Sequence, residues 1–573
     1  MNTPTSVLRS IAFQFCKEQP VLVACNLILA LVLAPLGDIL LPHLYGKLVS
    51  SVEKQGVHRE RNSDPTWWPP PHVAGPAVWV LVALAASQIG WLVKDALDMH
   101  TAPLLENMVR TRMVEGLVSE LDGNLPGESP SGHYLGQIAR TPEFASWWWH
   151  VILDYAIPYG ITLFWAVVYY AGIDFGLMAC LITLIAAVVF LLVISPRSCS
   201  VVALKRDESL NDIHDRTDDL FTNLTSVYGG GVQEQEVSYI REMGLAFKAR
   251  HVDAVSCMMW YKGIGVPLLV AFVGLVVLRS CHLTAVGKMT PGLFVSVFMI
   301  TTSLLGTLAW LLSLIREGTL DNGSLQSIFQ DFFSIGGPMP HHVPHELPKI
   351  DDSAAFGLAL IDVTYGPLNH VTVAFPAGRI NLVNRPVGWG KSTMLRLMAG
   401  LIVPDSGDLE VDGHMYSEIG LNTVRRLVAY MPQDAYLLNR TVFENVTLGM
   451  SGMSGMSGMS GMSGPSREEV VELAEKLGLW SVLSENLSDG IDTDVGKGGA
   501  KLSGGQKQLV WLLRIATRVV LGKYRVSAIL LDEPSASLDA KSRDASRRVL
   551  SSLLDMRPNM TVIVVDHASG QTG

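Results

Sequence analysis

The stretch Arg385-Pro386-Val387-Gly388-Trp389-Gly390-Lys391-Ser392-Thr393 decides how the chain is read. It follows a short apolar run, residues 380–383, that reads as a buried strand, and it precedes residues 394–401, which read as the start of a helix. Strand, glycine-rich turn, Lys-Ser/Thr and helix together form a cradle for a polyphosphate. Backbone N–H groups of the turn and the helix N-terminus face the phosphates, and the helix dipole adds partial positive charge. Lys391 is placed to reach the β- and γ-phosphates and the Ser392 hydroxyl to ligate Mg²⁺, with Gly388, Trp389, Gly390 and Thr393 completing the cradle. One position departs from G-x-x-x-x-G-K-[ST]: its first glycine is Arg385.

Working outward, 573 residues are too many for one ordinary domain. Hydrophobic residues make up 49% of the chain and charged residues 17%, with a mean hydropathy of +0.31, too apolar for a soluble enzyme. The apolarity lies before about residue 315, and soluble composition follows Lys349. A net charge of -10 argues against nucleic acid as a partner. The six cysteines are scattered without a C-x-x-C pair, which predicts unpaired thiols. No signal peptide with a small-residue cleavage site stands out, so the first apolar run is expected to remain as a span.

Six segments of spanning length can be marked, near residues 21–48, 73–93, 151–170, 175–194, 264–278 and 293–314. Trp147-Trp148-Trp149 fit an aromatic belt at a membrane surface, and Trp67-Trp68 fit interfacial or helix-start positions. The connections after the second and fourth spans are long, helical in pattern and rich in Lys and Arg, which places both, the N-terminus and everything after the sixth span in the cytosol. Each is broken in its middle, at residues 123–132 and 229–231, so each reads as a helix that leaves the bilayer, turns through a cross-piece and returns. Among ionisable residues near spans, only Asp38 and His43 look deep; Lys94, Asp95 and Asp98 fit the inner interface. Asp38 either lines a polar path or makes a structural hydrogen bond.

The expected domains are a six-span unit over 1–335, a Pro/His-rich linker over 336–350, and a soluble domain over 351–573. Residues 450–464, five Met-Ser-Gly copies, read as a flexible insertion. In the soluble domain, Tyr365 lies 26 residues before Lys391; an aromatic there either stacks on an adenine or ends a strand facing solvent. Gln433 follows a strand-like run and is suited to ligate Mg²⁺ or orient a water. Leu502-Ser503-Gly504-Gly505-Gln506 opens a helix and offers a second phosphate nest. Residues 528–533 form an apolar strand ending in Asp532, suited to the Mg²⁺ shell, and Glu533, suited to be the general base. His567 ends another apolar strand and is placed to contact the γ-phosphate.

This order, with Asp539, resembles the ATP-binding cassette (ABC) ATPases, of which Leu-Ser-Gly-Gly-Gln is a specific mark. Asp494-Val495-Gly496-Lys497-Gly498-Gly499 is similar to an element of ABC exporters, and six spans before one cassette look like an exporter half-transporter. The resemblance implies a membrane all-α six-helix transmembrane domain followed by an α/β P-loop NTPase domain, with ATP and Mg²⁺ as cofactors and the breaks at 123–132 and 229–231 as coupling helices. It implies a catalytic set of Glu533, His567 and Gln433, with Asp539 among the nucleotide contacts. It further implies a dimer with a second half-transporter, in which Ser503 to Gln506 of one subunit contact ATP held by Lys391 and Ser392 of the other. An unidentified substrate would then be exported across the lipid bilayer by alternating access. The alternative set by Arg385 is a membrane protein that binds ATP but gates or regulates. Arg385 points to solvent or adds a phosphate contact. The chain stops soon after His567, where the family has further elements, so a truncated or short cassette is expected.

Overall fold

The computed structural model describes residues 4–58, 71–125, 131–332, 357–386, 388–450 and 464–566. Its contacts divide the chain into two compact units, Met1–Val118 with Glu128–Met339, and Ser119–Gly127 with Pro340–Gly573. His567, Trp67-Trp68, the linker and residues 451–463 of the Met-Ser-Gly insertion lie outside the described residues.

The first unit is helical: α1 (Pro4–Glu18), α2 (Pro20–Pro35), α3 (Leu41–His58), α4 (Pro71–Glu120), α5 (Ser131–His150), α6 (Ile157–Ala171), α7 (Phe175–Thr222), α8 (Leu224–Gly230), α9 (Gln233–Ala285) and α10 (Pro291–Phe332). Two π-helical segments, Leu36–Leu40 and Val151–Ala156, join α2 to α3 and α5 to α6. Among the described residues, six helical stretches are long and apolar enough to cross a bilayer: Pro20–Glu53, Val73–Ser119, Thr141–Ala171, Phe175–Thr222, Gln233–Ala285 and Pro291–Leu314. Their apolar side chains point largely outward, Trp79, Phe190 and Leu278 among them, a surface that suits lipid rather than water.

Helices α4, α7 and α9 run for 50, 48 and 53 residues. At 1.5 Å per residue that is roughly 70–80 Å, over twice the ~30 Å hydrocarbon core. The long connections are therefore continuations of the spans. The seven-residue α8 is the cross-piece between α7 and α9, closed by Gly231 in the left-handed region. At the other end of α7, Asp174 accepts hydrogen bonds from Gly176 and Leu177 N–H and pairs with Arg279 of α9 at 2.8 Å. The Arg279 guanidinium holds the Asp174 carboxyl below the usual aspartate range, with the two helix N–H groups adding to it.

One expectation changes. Cys199 and Cys257 form a disulfide between α7 and α9, with Cα atoms 6.0 Å apart. Sequence spacing cannot show this pair, because antiparallel helix packing sets its proximity across 58 residues. Trp149 is buried, meeting Phe15 of α1 edge-on at 5.3 Å between ring centres. Lys94 is 1% exposed and forms ion pairs with Asp98 and Asp154. Asn26 donates to Asp98 and His150 sits 3.1 Å from Asp154. This network satisfies charges that would be costly alone.

The second unit has β1 (Leu358–Tyr365), β2 (Leu368–Phe375), β3 (Ile380–Val383), α11 (Lys391–Met398), β4 (Ser406–Val411), β5 (His414–Met415), α12 (Tyr416–Ile419), α13 (Leu421–Leu427), β6 (Val428–Met431), α14 (Val442–Val446), α15 (Arg467–Lys476), α16 (Trp480–Leu483), α17 (Gly504–Val520), β7 (Ala528–Asp532), α18 (Ala540–Met556) and β8 (Thr561–Val565). One sheet is antiparallel, ordered β2-β1-β4-β5, and the other parallel, ordered β3-β8-β7-β6. Strands β7 and β8 are buried at every residue, as expected where both faces of a parallel sheet are covered. Alternation along the strands assigns the two faces. Ala528, Leu530, Ile563 and Val565 pack with Met394, Leu395 and Leu397 of α11. Ile529, Leu531, Val562 and Val564 pack with Leu509, Leu512 and Leu513 of α17.

The segment Ser119–Gly127 clusters with this second unit. Val403 N–H donates to the Gly123 carbonyl at 2.9 Å, Leu125 N–H donates to Leu401 O at 3.2 Å, and Asp122 pairs with Arg425. The residues expected to turn between helices thus add a short extended pairing to the loop after α11.

Candidate functional site

The parallel register brings the ends of neighbouring strands level. Val383 pairs with Val565, Val565 with Asp532, and Met431 with Leu531. The phosphate-cradle turn, the two acids and the Gln433 segment therefore leave the sheet together at its carboxyl edge, where α/β folds bind ligands.

Beyond β3, Gly390 caps α11 with φ of 97°. A Cβ there would stand 2.9 Å from Pro367 Cγ and 3.0 Å from Leu368 Cδ2, so both conformation and space call for glycine. Arg385 is not among the non-glycine residues with positive φ, so the turn takes an L-residue at this position without that strain. Its exposed guanidinium lies over the Trp389 ring, 5.2 Å from the centroid. Its carbonyl accepts a hydrogen bond from Lys391 Nζ at 3.0 Å. The basis for the gating alternative thereby falls away. Ser392 is exposed and Thr393 half-buried on the first turn of α11, while Lys391 is 8% exposed.

Asp532 is 2% exposed at the end of β7. The next residue, Glu533, has φ of 48°, an uncommon backbone for a side chain of its size. Its N–H donates to Val565 O at 2.9 Å, which pins the turn to β8. Gln433 Nε2 donates to Glu533 Oε2 at 3.0 Å. Burial, with Asp532 nearby, pushes the Tyr430 phenol well above its ordinary value, so Tyr430 is a neutral wall of this edge. Sequence reading missed Gln508. Buried on α17, its amide donates to the Glu533 carbonyl at 3.5 Å and accepts from Ser537 N–H at 3.3 Å. A glutamine on the apolar face of α17 was the available signal.

Ser503 and Gln506 form a capping box at the start of α17: Ser503 Oγ accepts from Gln506 N–H at 3.2 Å, and Gln506 Oε1 accepts from Ser503 N–H at 2.8 Å. Gly504 and Gly505 lie against Ser537, whose carbonyl would be 2.9 Å from a Cβ on Gly505. Asp539 caps α18, accepting from Ser542 N–H at 2.7 Å, and that bond holds its carboxyl below the usual range. Asp494 is held low by Lys501, 2.7 Å away. Tyr365 ends β1 half-buried against the antiparallel-sheet core, and the turn after it forms the wall beside Gly390. Gln433 and Glu533 meet directly; the helices that begin at Lys391 and at Gly504 lie on opposite faces of the sheet.

Residues 368–536 match the sequence profile of the ABC transporter family. The chain is 27% identical over 353 residues to an ATP-dependent lipid A-core flippase of Vibrio cholerae, covering 59% of this chain and 55% of that protein. It is 24% identical over 340 residues to the human ABC-type oligopeptide transporter ABCB9, covering 58% of this chain and 41% of that protein. The chain thus spans about half the length, or less, of these curated relatives. Along 96% of its length it shares the fold of a bacterial Atm1-family ABC exporter solved with ATP bound, with a TM-score of 0.77 and 20% identity. With six candidate spans preceding residues that match the ABC transporter profile, the chain is a multi-pass membrane protein that carries an ABC transporter domain over residues 368–536.

Proposed function

We propose that this chain is one half of an ATP-driven exporter that works as a dimer. One observation carries the reading. The cradle helix α11 and the signature helix α17 begin on opposite faces of one parallel sheet, so each half-site needs a complement from a second cassette. Nucleotide held by Lys391, Ser392 and the N–H groups around Gly388 and Gly390 meets Ser503 to Gln506 of the other subunit. Tyr365, Trp389 and Thr393 border the nucleotide, and Asp539 lies at the seam.

Mg²⁺ fits the oxygen donors Ser392, Gln433 and Asp532, and when bound it supplies charge neutralisation at the phosphates. Glu533 accepts the proton of the attacking water, and the Gln433 amide orients the Glu533 carboxylate through the 3.0 Å hydrogen bond. His567 is assigned to the γ-phosphate side from its place after β8. The exposed Phe221, Tyr228 and Tyr239 around α8 suit a docking surface for a cassette of the partner. Closure of the cassettes is carried by α8 and by the Ser119–Gly127 segment to helices in the bilayer. The cassette and N-terminus are then cytosolic. The domain limits proposed from sequence, 1–335, 336–350 and 351–573, stand as part of this reading.

The test is the full chain in proteoliposomes supplied with Mg²⁺ and ATP. The expected result is steady ATP hydrolysis, faster when a transported compound is present, together with accumulation of that compound on one side. Tight ATP binding with no turnover in any lipid or compound tested contradicts the reading.

A further inference from the structure

The geometry points to a binding site for an organic cation with a flat aromatic body, built from Asp38, Ser303, Tyr155, Tyr159 and Trp310. It deepens the export reading, on which it rests, by naming a substrate class. Asp38 lies in the π-helical segment Leu36–Leu40, within a bilayer-spanning stretch. Its carboxylate accepts a hydrogen bond from Ser303 Oγ of α10 at 2.6 Å. Among the described residues it has no cationic partner. The contrast within the same unit is direct, since Asp98 and Asp154 share Lys94, and Asp174 has Arg279. A carboxylate within a bilayer without a cation is expensive, and a ligand cation supplies what the chain omits.

The second observation is an aromatic cluster on the neighbouring elements. Tyr155 stacks on Trp310 with ring centres 4.0 Å apart and 22° between planes. Tyr159 meets Trp310 edge-on at 5.8 Å and lies 5.9 Å from Tyr155. Trp310 follows Ser303 by seven residues, two turns along α10, so both project from one face about 10 Å apart. Tyr159 is near enough to Asp38 for the two to interact electrostatically. All five residues are partly exposed.

The local backbone explains the convergence. Asp38 sits in one π-helical segment and Tyr155 in the other. A π-turn inserts an extra residue, which shifts the register and re-aims side chains that an uninterrupted α-helix would carry elsewhere. One carboxylate and three aromatic rings are a poor set for a bare metal ion, which needs several small donors. They suit a large soft cation, whose charge meets Asp38 while its body lies against the ring faces. An anion would meet the Asp38 charge and the aromatic faces with the wrong sign.

The test is binding, measured without nucleotide on the full chain in phosphatidylcholine nanodiscs, with empty nanodiscs subtracting lipid partition. The probes are N-methylacridinium and, at mildly alkaline pH, its uncharged counterpart acridine. The wild-type chain should bind the cation about tenfold or more tighter than acridine. Asp38→Asn, which can keep the Ser303 hydrogen bond, should erase that preference, and Trp310→Ala should weaken both probes. Equal binding of the two probes to wild type overturns the proposal, as does a preference that survives Asp38→Asn. If Asp38→Asn fails to assemble, the wild-type ratio and Trp310→Ala still decide. Because no ATP is present, a chain that binds the cation yet never hydrolyses ATP would remove the export reading and leave the site standing.

Discussion

Glu533→Gln is expected to lower ATP hydrolysis by about 10²–10⁴-fold while leaving ATP affinity within about twofold of wild type. The substitution removes the basic oxygen but keeps side-chain size, so a glutamine can still meet Gln433 across the same 3.0 Å gap. The backbone arrangement does not depend on the carboxylate. It rests on Glu533 N–H to Val565 O and on Gln508 to the Glu533 carbonyl. A loss of hydrolysis therefore reports proton transfer rather than collapse of the strand end. The measurement is steady-state phosphate release beside titration with a fluorescent ATP analogue. A fall of less than about fivefold would place the base elsewhere.

The second large effect concerns the cradle. Gly390→Ala should reduce ATP affinity by about tenfold or more, because the residue is held at φ of 97° and its Cβ would press on Pro367 and Leu368. Such strain costs roughly 1–3 kcal/mol, and the turn relieves it only by moving the N–H groups that face the phosphates. Arg385→Gly is the informative contrast. Position 385 does not use the left-handed region, and its exposed side chain lies over the Trp389 ring. Its ATP affinity should stay within about threefold of wild type, the loss being one exposed cation–π contact of about 0.5–1 kcal/mol. If the two variants behave alike, the turn described here is not the one that holds nucleotide.

Much of this was legible in the sequence. The cradle, Gln433, the signature and the Asp532-Glu533 pair each sit at a strand end or helix start, and short apolar runs mark those strands. The six spans follow from length and apolarity alone. What could not be read shares one cause: it depends on which faces of separate helices meet. The Cys199–Cys257 disulfide, the Lys94 network and the burial of Trp149 under α1 all join residues distant in sequence. Asp38 was legible as a deep acid, but its partner Ser303 is 265 residues away. The π-helical segments carry no composition signal, yet they aim Asp38 and Tyr155. Gln508 escaped for a related reason, since its role appears only when α17 is packed beneath the end of β7.

The central claim is that one chain's cradle and another chain's signature close on the same nucleotide. Copies carrying Arg385→Cys and differently tagged copies carrying Ser503→Cys, with the native cysteines replaced, should be co-assembled in lipid and treated with a short thiol crosslinker. The account predicts a linked pair of chains, abundant with ATP in a Glu533→Gln background and scarce without nucleotide. A yield that does not respond to ATP, in a preparation shown to bind it, would contradict the account.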